Sequence, residues 1–299
     1  MGATAGEPRH TGAASLHTRL SDVPRVLWRA LRTTIDHGLV NVAKAVAFSL
    51  FIAIPSGLLL VLGIFGLVAS PAEVDRVATS LHGVLPDAVT RLLRAEIVQV
   101  TSSRSTSAAL LIVGLLLALW SFTGAMTTLM WGLNMAYGAR ETRGFVQQRL
   151  TAIVLVGGSL IAFSAVFLLL ILGPYVERWL GRVTGSPGTV RSVWWVLEWP
   201  GLVVVLLAFF ALMLYAGPNT VPRRLRLLTP GAVVATVLWL AVSGAFALYS
   251  SHLGGYNKSW GSLAAVVILL IWLWLTSLAI LIGAEVNAEF AAPGHRSRE

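Results

Sequence analysis

The residues best placed for chemistry stand at the end of the last apolar run, in the stretch IGAEVNAEF (282–290). Glu285, Asn287 and Glu289 follow more than two dozen uncharged residues. A carboxylate inside a membrane usually belongs to a substrate or proton pathway. Two interpretations of Glu285 and Asn287 stay open: they tie down the end of the last helix, or they line the inner mouth of a substrate path.

The depth of Glu285 in a bilayer follows from helix length. The 22 residues from Ser262 to Gly283 extend about 33 Å as a helix, more than the roughly 30 Å of the hydrocarbon core. We therefore expect Glu285 at the inner headgroup boundary, where its carboxylate can be solvated or paired with an arginine. The arginines on that side of the membrane are Arg140, Arg143, Arg223, Arg224 and Arg226.

Two further polar residues stand at the edges of apolar runs. Asn134 lies near the inner end of the second run, and Lys44 precedes the first run, where snorkelling to the headgroups is the ordinary behaviour of lysine. A stripe of small residues (Gly114, Ala118, Ser121 and Ala125) would let another helix approach the second run closely. The complete set of candidate structural or path-lining residues is Glu285, Asn287, Asn134, Lys44, Arg140, Arg143, Arg223 and Arg224.

The sequence contains no pattern of residues typical of a catalytic site. Metal-dependent cleavage of RNA needs clustered carboxylates and histidines, but no two of the six histidines lie within six residues of each other. The chain has no cysteine, which excludes thiolate nucleophiles and Cys-based metal sites. We therefore predict no enzyme activity, no metal, no cofactor and no nucleic-acid partner.

Composition places the chain in a membrane. Only 12% of its residues are charged and 56% are hydrophobic, whereas soluble proteins carry about 25% charged residues. Six runs without Asp, Glu, Lys or Arg are each long enough to span a bilayer as a helix. The sequence predicts an all-α polytopic membrane protein with spans near 45–70, 108–135, 150–175, 196–217, 230–252 and 261–286.

Orientation follows from the basic residues between the runs. With the N-terminus inside, 14 Lys and Arg fall on the inner side and eight on the outer side, which favours both termini in the cytoplasm. Residues 1–40 are then a cytoplasmic tail, 41–290 the membrane domain and 291–299 a second cytoplasmic tail. The net charge of +9 is consistent with basic loops at an anionic leaflet.

Two segments outside the spans have amphipathic patterns. In 20–36, apolar residues share one helical face and Arg25, Arg29 and Arg32 share the opposite face. This pattern indicates a helix that lies on the inner leaflet or docks on the cytoplasmic side of the bundle. The segment 71–104, between the first two spans, predicts two further amphipathic helices on the outer face.

Three stretches resemble one bacterial family. WSFTGAMTTLMWGLNMAYGARETRGFVQQRL (120–150), LYAGPNTVPRRLRLLTPGAVVATVLWL (214–240) and YNKSWGSLAAVVILLIWLWLTSLAILIGAEVNAEF (256–290) are similar to the YihY/BrkB family of inner-membrane proteins. The resemblance implies six transmembrane helices in the bacterial cytoplasmic membrane. Some members were once assigned to ribonuclease BN and others to virulence through serum resistance, so the resemblance implies no particular activity.

The sequence favours a transporter-like protein that moves a small solute or a lipid. The alternative is a non-catalytic membrane scaffold in envelope assembly or integrity. The expected partners are membrane lipids, the anionic inner leaflet, and either further copies in a homo-oligomer or other envelope proteins.

Overall fold

A computed structural model describes residues 23–68, 104–220, 228–252 and 257–291, and every regular element in these segments is a helix. Six of the helices are long and apolar enough to cross a membrane, which confirms the predicted all-α, six-span class. The predicted outer amphipathic segment falls almost wholly outside the described residues. The helices are α1 (Val23–Asp36), α2 (Leu39–Val68), α3 (Arg104–Ala136), α4 (Phe145–Thr184), α5 (Pro187–Ala216), α6 (Pro230–His252) and α7 (Asn257–Ala291).

Glycines with positive φ separate several of these helices. Gly38, at φ 66°, turns the chain between α1 and α2, and Gly138, at φ 61°, follows the end of α3. Side chains other than glycine rarely adopt this conformation, because a Cβ atom clashes there. After Gly138 the backbone N–H of Ala139 donates to the carbonyl of Asn134 (2.8 Å), which closes the last turn of α3.

The six spanning helices form three hairpins, α2/α3, α4/α5 and α6/α7, each with extensive internal contacts. In α2/α3 the small-residue stripe provides the close approach: a Cβ atom on Gly114 would lie 2.5 Å from the backbone nitrogen of Leu60. Ala118 and Ala125 are buried, and the Ser121 hydroxyl lies 3.4 Å from that of Ser56. The stripe is therefore a packing surface.

In each of the other two hairpins, glycines and aromatic rings form the contacts between the two helices. A Cβ atom on Gly173 of α4 would lie 3.1 Å from the indole nitrogen of Trp194 in α5. In α6/α7 a Cβ atom on Gly283 would lie 2.6 Å from the carbonyl oxygen of Gly231. Trp239 and Trp272 meet edge to face with 6.1 Å between ring centroids. Each hairpin is thus held together by its own close contacts.

The hairpins meet one another mainly at one end of the bundle. We call this the polar end, because Asn134, Asn219 and Asn287 lie there, and we call the opposite half the far half. The buried core at this end combines residues of all three hairpins, including Val42, Leu133, Leu155, Phe210, Met213, Ala232, Ala235, Leu281 and Ala284.

In the far half, α3 is exposed on almost every side. Only the side that carries Gly114 and Ala118 is buried, against α2. The exposed apolar residues there are Ile112, Val113, Leu115, Leu116, Leu117, Leu119 and Trp120. Within the described segments, the part of α3 from Ile112 to Leu119 therefore packs on α2, and Trp120 also lies against the guanidinium of Arg149 in α4.

Helix α1 docks on α7. Its buried side is small: Ala30 is fully buried, and Thr34 donates its hydroxyl to the Ala30 carbonyl (2.7 Å). Trp28, Leu31 and Ile35 form an exposed apolar strip on the adjacent face. The apolar face expected for this helix therefore divides in two: Thr34 faces the bundle and Leu31 does not.

Candidate functional site

The polar end gathers residues from six parts of the chain. The C-terminal parts of α3, α5 and α7, the turn before α2, the loop 137–144 and the start of α6 all contribute side chains or backbone groups there. The predicted residues Asn134, Arg143, Glu285 and Asn287 are among them. The contacts divide into three groups, around Asn134, Glu285 and Asn287.

Asn134 links α3 to the loop that follows α5. Its side chain is only 3% exposed. Its amide nitrogen donates to Glu141 Oε2 (2.9 Å), and its amide oxygen accepts from the backbone N–H of Asn219 (2.6 Å). The Asn219 side chain in turn donates to the carbonyl oxygen of Arg140 (2.9 Å). Both functional groups of a buried amide are thus satisfied by protein.

Glu141 and Arg143 form a two-pronged ion pair. Arg143 Nε donates to Glu141 Oε1 and Arg143 Nη2 to Glu141 Oε2, both at 2.8 Å. The hydrogen bond from Arg143, opposed by partial burial, holds the pKa of Glu141 below its ordinary value. Arg143 Nη2 also donates to the carbonyl oxygen of Gly217 (2.9 Å), so a cation sits at the C-terminus of α5, where the helix dipole favours it.

Glu285 is bonded to histidine. Glu285 Oε1 lies 2.7 Å from Nδ1 of His37, which stands in the turn between α1 and α2. The prediction was that an arginine of the 140–149 or 223–226 loop pairs with Glu285. Of these candidates, Arg143 pairs with Glu141 instead, and Arg140 is exposed. The other proposed partners, Arg223, Arg224 and Arg226, lie outside the described residues.

The solvation expected for Glu285 also needs correction. Its side chain is 0% exposed, whereas that of His37 is 36% exposed. Sequence length placed Glu285 at the headgroup boundary, but α1 folds back onto α7 and covers that boundary. The carboxylate is therefore buried, and it meets the accessible surface through the half-exposed imidazole.

Asn287 caps a neighbouring helix. Its side-chain oxygen accepts from the backbone N–H of Gly231 (2.8 Å), in the first turn of α6, where the N–H groups have no partner within the helix. Its amide nitrogen donates to the hydroxyl of Tyr137 (3.2 Å) and to that of Thr229 (3.3 Å). Thr229 is itself the N-cap of α6, accepting from the N–H of Ala232 (3.1 Å).

Two predicted residues lie apart from these groups. Lys44 is exposed, and its ammonium donates to the Asn41 side chain at 3.4 Å. Arg140 contributes only its carbonyl oxygen, while the residue as a whole is exposed. Sequence analysis missed His37, Glu141 and Asn219. Each follows a predicted helix end closely, which is the one signal that could have pointed to them.

The chemistry of the polar end is that of hydrogen-bonded connection between helices. Among the described residues, no three His, Asp or Glu side chains come together as metal ligands would. Asn134, Arg143 and Asn287 each bond groups of two or more chain segments. The Glu285–His37 pair likewise connects the last helix to the turn before α2.

Comparison with known proteins relates this chain to one family of bacterial membrane proteins. The profile of the family described as virulence factor BrkB matches residues 30–298. The ribonuclease-like protein YfkH of Bacillus subtilis is 31% identical over 218 residues, which are 73% of this chain and 78% of that protein. The membrane protein azo3165 (UPF0761) of Azoarcus is 25% identical over 273 residues, 86% of this chain and 61% of that protein.

A further relative is a UPF0761 membrane protein of Klebsiella pneumoniae, 30% identical over 134 residues, which are 42% of this chain and 46% of that protein. The chain thus spans less than two thirds of the length of these UPF0761 proteins. No solved structure matches the chain.

Proposed function

We propose, from the premise that this chain belongs to the BrkB family of multi-pass membrane proteins, that it is a transporter-like protein. It would move a small solute or a lipid along the surfaces that its hairpins leave uncovered in the far half. The observation that carries this proposal is the uneven packing of the described residues: the hairpins contact one another closely at the polar end, and the close contacts beyond it lie within hairpins.

The closed end is built from contacts between hairpins. Leu133 of α3 packs directly against Gly217, after α5, so that Gly217 has no space for a side chain. Gly132 of α3 is similarly enclosed by Val42 of α2 and Leu281 of α7. In the far half, by contrast, the close contacts of the described residues lie within hairpins, as at Gly114 and Gly173. A protein that serves only as a solid anchor has no need for this asymmetry, whereas a transport protein needs an opening and a barrier.

The polar end would serve as the barrier. The bonds of Asn134, Asn287 and Glu285 connect helices of different hairpins and are polar. Water can replace these polar bonds when helices separate, whereas the apolar core beside them favours the closed state. The bond between Glu285 and His37 would attach the turn before α2 to this barrier.

The alternative is a non-catalytic scaffold for envelope assembly or integrity. Its specific support is that Asn287 and Arg143 act on helix termini, as structural residues do. In that case the far half faces lipid on all sides. The two proposals therefore differ in what surrounds α3.

A cysteine scan of α3 separates them, because the chain has no cysteine of its own. Single variants Ile112→Cys, Val113→Cys, Leu115→Cys, Leu116→Cys and Leu117→Cys sample the exposed circumference. In membranes, a charged, water-soluble thiol reagent should label the variants on one side of α3 and spare the rest. Ala118→Cys, buried against α2, is the unlabelled control. Protection of all five exposed positions would favour the scaffold.

The membrane and orientation belong to the same proposal. We place the protein in the bacterial cytoplasmic (inner) membrane with both termini in the cytoplasm, which makes the polar end cytoplasmic. The basic residues favour this orientation, and α1 and the end of α7 share the polar end. Reporter fusions at residues 88 and 299 test it, since an inner-side signal at 88 or an outer-side signal at 299 would reverse it.

The expected partners are lipids rather than nucleic acid. The exposed strip of α1 beside Arg25, Arg29 and Arg32 suits the anionic inner leaflet. A homo-oligomer or other envelope proteins would cover further apolar surface. We propose no enzyme activity, and incubation of the purified protein with structured RNA and Mg²⁺, Mn²⁺ or Zn²⁺ tests this. Cleavage abolished by a point substitution would overturn the proposal.

A further inference from the structure

A crevice between α3 and α4 stands apart from the three groups of the polar end. It is open to the surroundings, has a volume of about 300 Å³, and is lined by Thr127, Thr128, Trp131, Phe145, Gln148 and Arg149. Such a volume is at the lower limit of pockets that hold small ligands. Its lining combines one cation, one amide, two hydroxyls and two aromatic rings.

The cation is held in a fixed position. Arg149 Nη1 donates to the hydroxyl oxygen of Thr123 (3.0 Å). The guanidinium carbon lies 5.1 Å from the ring centroid of Trp120 and 5.4 Å from that of Phe145, distances at which a cation is attracted to an aromatic face. Three groups therefore orient a guanidinium that has five N–H donors.

Arg149 is not used in an ion pair within the described segments. The ion pairs of these segments include Arg32–Asp36, Arg143–Glu141 and His37–Glu285, and none of them involves Arg149. Thr123 occupies one donor of Arg149. The other N–H donors of Arg149 can bind an anion. The planar guanidinium is well suited to a phosphate.

The depth of the crevice matches the lipid headgroups. Along α4, the residues 150–176 between Arg149 and Glu177 carry no charge, and as a helix they extend about 40 Å. This exceeds the hydrocarbon thickness of about 30 Å, so Arg149 falls at the boundary rather than inside the core. Trp131 and Phe145 are 54% and 68% exposed, as aromatic residues are at that depth.

The two hydroxyls complete the pattern. Thr127 donates its proton to the carbonyl of Gly124 (2.8 Å), and Thr128 donates to the same carbonyl (3.1 Å). Their oxygens retain lone pairs for accepting hydrogen bonds. The crevice thus offers N–H donors from Arg149 and Gln148 together with acceptors from the threonines.

We propose that this crevice binds the headgroup of a glycerophospholipid. The phosphate accepts from Arg149 and Gln148, the N–H or O–H groups of an ethanolamine or glycerol headgroup donate to Thr127 and Thr128, and the acyl chains lie against Trp131 and Phe145. This site does not depend on whether the protein moves a solute, so its failure and that of the transport proposal are separate results.

The test is lipid retention by the whole chain, purified in mild detergent and observed by native mass spectrometry. Dioleoyl phosphatidylglycerol and dioleoyl phosphatidylethanolamine are the probes, and dioleoylglycerol, which lacks phosphate, is the negative control. Arg149→Gln should lower phospholipid binding about tenfold, since a charge-assisted bond is lost. Arg149→Lys should retain part of the affinity, because it keeps the charge but not the fork of donors.

A matched control is available on the same helix. Arg178 also lies over an aromatic ring, 4.7 Å from the centroid of Tyr175, and its Nε donates to the carbonyl of Pro174. Arg178→Gln removes the same charge from the other end of α4, and it should leave the number of bound phospholipids unchanged. An equal loss in both variants would mean general attraction to charge and would overturn the site.

Two further measurements keep the proposal falsifiable. Gln148→Leu removes a lining donor without altering the aromatic contacts of Arg149, and it should also weaken phospholipid binding even if Arg149→Gln does not fold. Unchanged phospholipid adducts in Gln148→Leu and Arg149→Gln would refute the proposal. Displacement of the phospholipid by millimolar inorganic phosphate would identify a free-anion site instead, and it too would overturn the assignment to lipid.

Discussion

Glu285 and His37, which are 248 residues apart, lie 2.7 Å from each other between Oε1 and Nδ1. The contact joins the last spanning helix to the turn before the first one. It is the point at which a fully buried carboxylate reaches a side chain that solvent can touch. Its energetic weight can therefore be measured from either partner.

His37→Ala should destabilise the protein more than a surface substitution does. The variant leaves a buried carboxylate without its imidazole bond, a loss of about 1–3 kcal/mol. Glu285→Gln leaves His37 a neutral hydrogen-bond partner, so it should lower the stability of the fold less than His37→Ala does. Thermal unfolding in detergent, combined in a double-mutant cycle, gives the coupling between the two residues.

The exposed pair Arg32–Asp36, at 3.8 Å in the same region, is the control. Asp36→Asn should change stability by less than about 0.5 kcal/mol, because exposed pairs of this spacing contribute little. If His37→Ala lowered stability no more than Asp36→Asn does, the buried Glu285–His37 bond would contribute no more to stability than an exposed ion pair.

Asn134→Asp should be more harmful than Asn134→Ala. The aspartate retains an acceptor for the N–H of Asn219, but it places a second carboxylate where the amide nitrogen now lies 2.9 Å from Glu141. Like charges at that distance repel. Melting temperatures in detergent at neutral pH show which of the two variants is less stable. The difference between them should become smaller when Asn134→Asp is combined with Glu141→Gln.

Acidification should weaken the loop 137–144 through Glu141. Because Arg143 lowers the pKa of Glu141 from its ordinary 4.5 in the folded state, the ionised pair stabilises the fold above the pKa of the unfolded chain. That contribution disappears as pH falls through the lower, folded pKa. Glu141→Gln should therefore lower the melting temperature at pH 7 and differ progressively less from wild type as the pH decreases below 4.5.

Arg143→Gln tests the cause of this pH dependence. It should abolish the same pH-dependent difference, because the shift in the pKa of Glu141 depends first on Arg143. If the melting temperatures of wild type and of both variants fell equally with decreasing pH, the acid sensitivity would belong to other groups.

Gly114→Ala should disrupt the α2/α3 hairpin. Its Cβ atom would lie 2.5 Å from the backbone nitrogen of Leu60, and backbone cannot move aside as a flexible side chain can. On the same helix, a Cβ atom on Gly124 would meet nothing within 4 Å, so Gly124→Ala should be neutral or slightly stabilising. Thermal unfolding of the two variants should differ widely, and equal melting would show that the close approach is unimportant.

A peptide of residues 20–36 should bind anionic vesicles through the face of α1 that carries Arg25, Arg29 and Arg32. Replacing all three with Gln should weaken that binding, since each basic residue near such a surface contributes about 1 kcal/mol. Trp28→Ala, which alters the exposed apolar strip, should weaken binding to neutral vesicles as well. Equal affinity of the native and Gln peptides for anionic vesicles would contradict the role of the arginines.

The sequence alone predicts the parts of this structure that depend on local chemistry. Uncharged runs predict the six spans, and Gly114 with Ala118 predicts a packing surface, because both follow from residue type and spacing. The partner of Glu285 could not be predicted in this way. Several cations stood on the same side, and His37 reaches Glu285 only because α1 folds back onto α7.

Arg143 illustrates a second limit. Its carboxylate partner is two residues away, and the pair then reaches the end of α5, 74 residues later in the chain. Spacing offers both Glu141 and Glu285 as partners, and only the path of the loop 137–144 decides between them. The crevice at Arg149 was missed for the same reason, since Thr123 and Thr128 contribute from another helix.

The division into self-contained hairpins gives the protein a natural order of assembly. Each pair of helices can leave the insertion machinery as a packed unit, because contacts such as those of Gly114, Gly173 and Gly283 lie within the pair. The bond from Asn287 to Tyr137 and that from Glu285 to His37 must wait until the third pair has been synthesised. The last helix to enter the membrane therefore fastens the first, and a chain truncated before Glu285 would insert its earlier hairpins without closing the bundle.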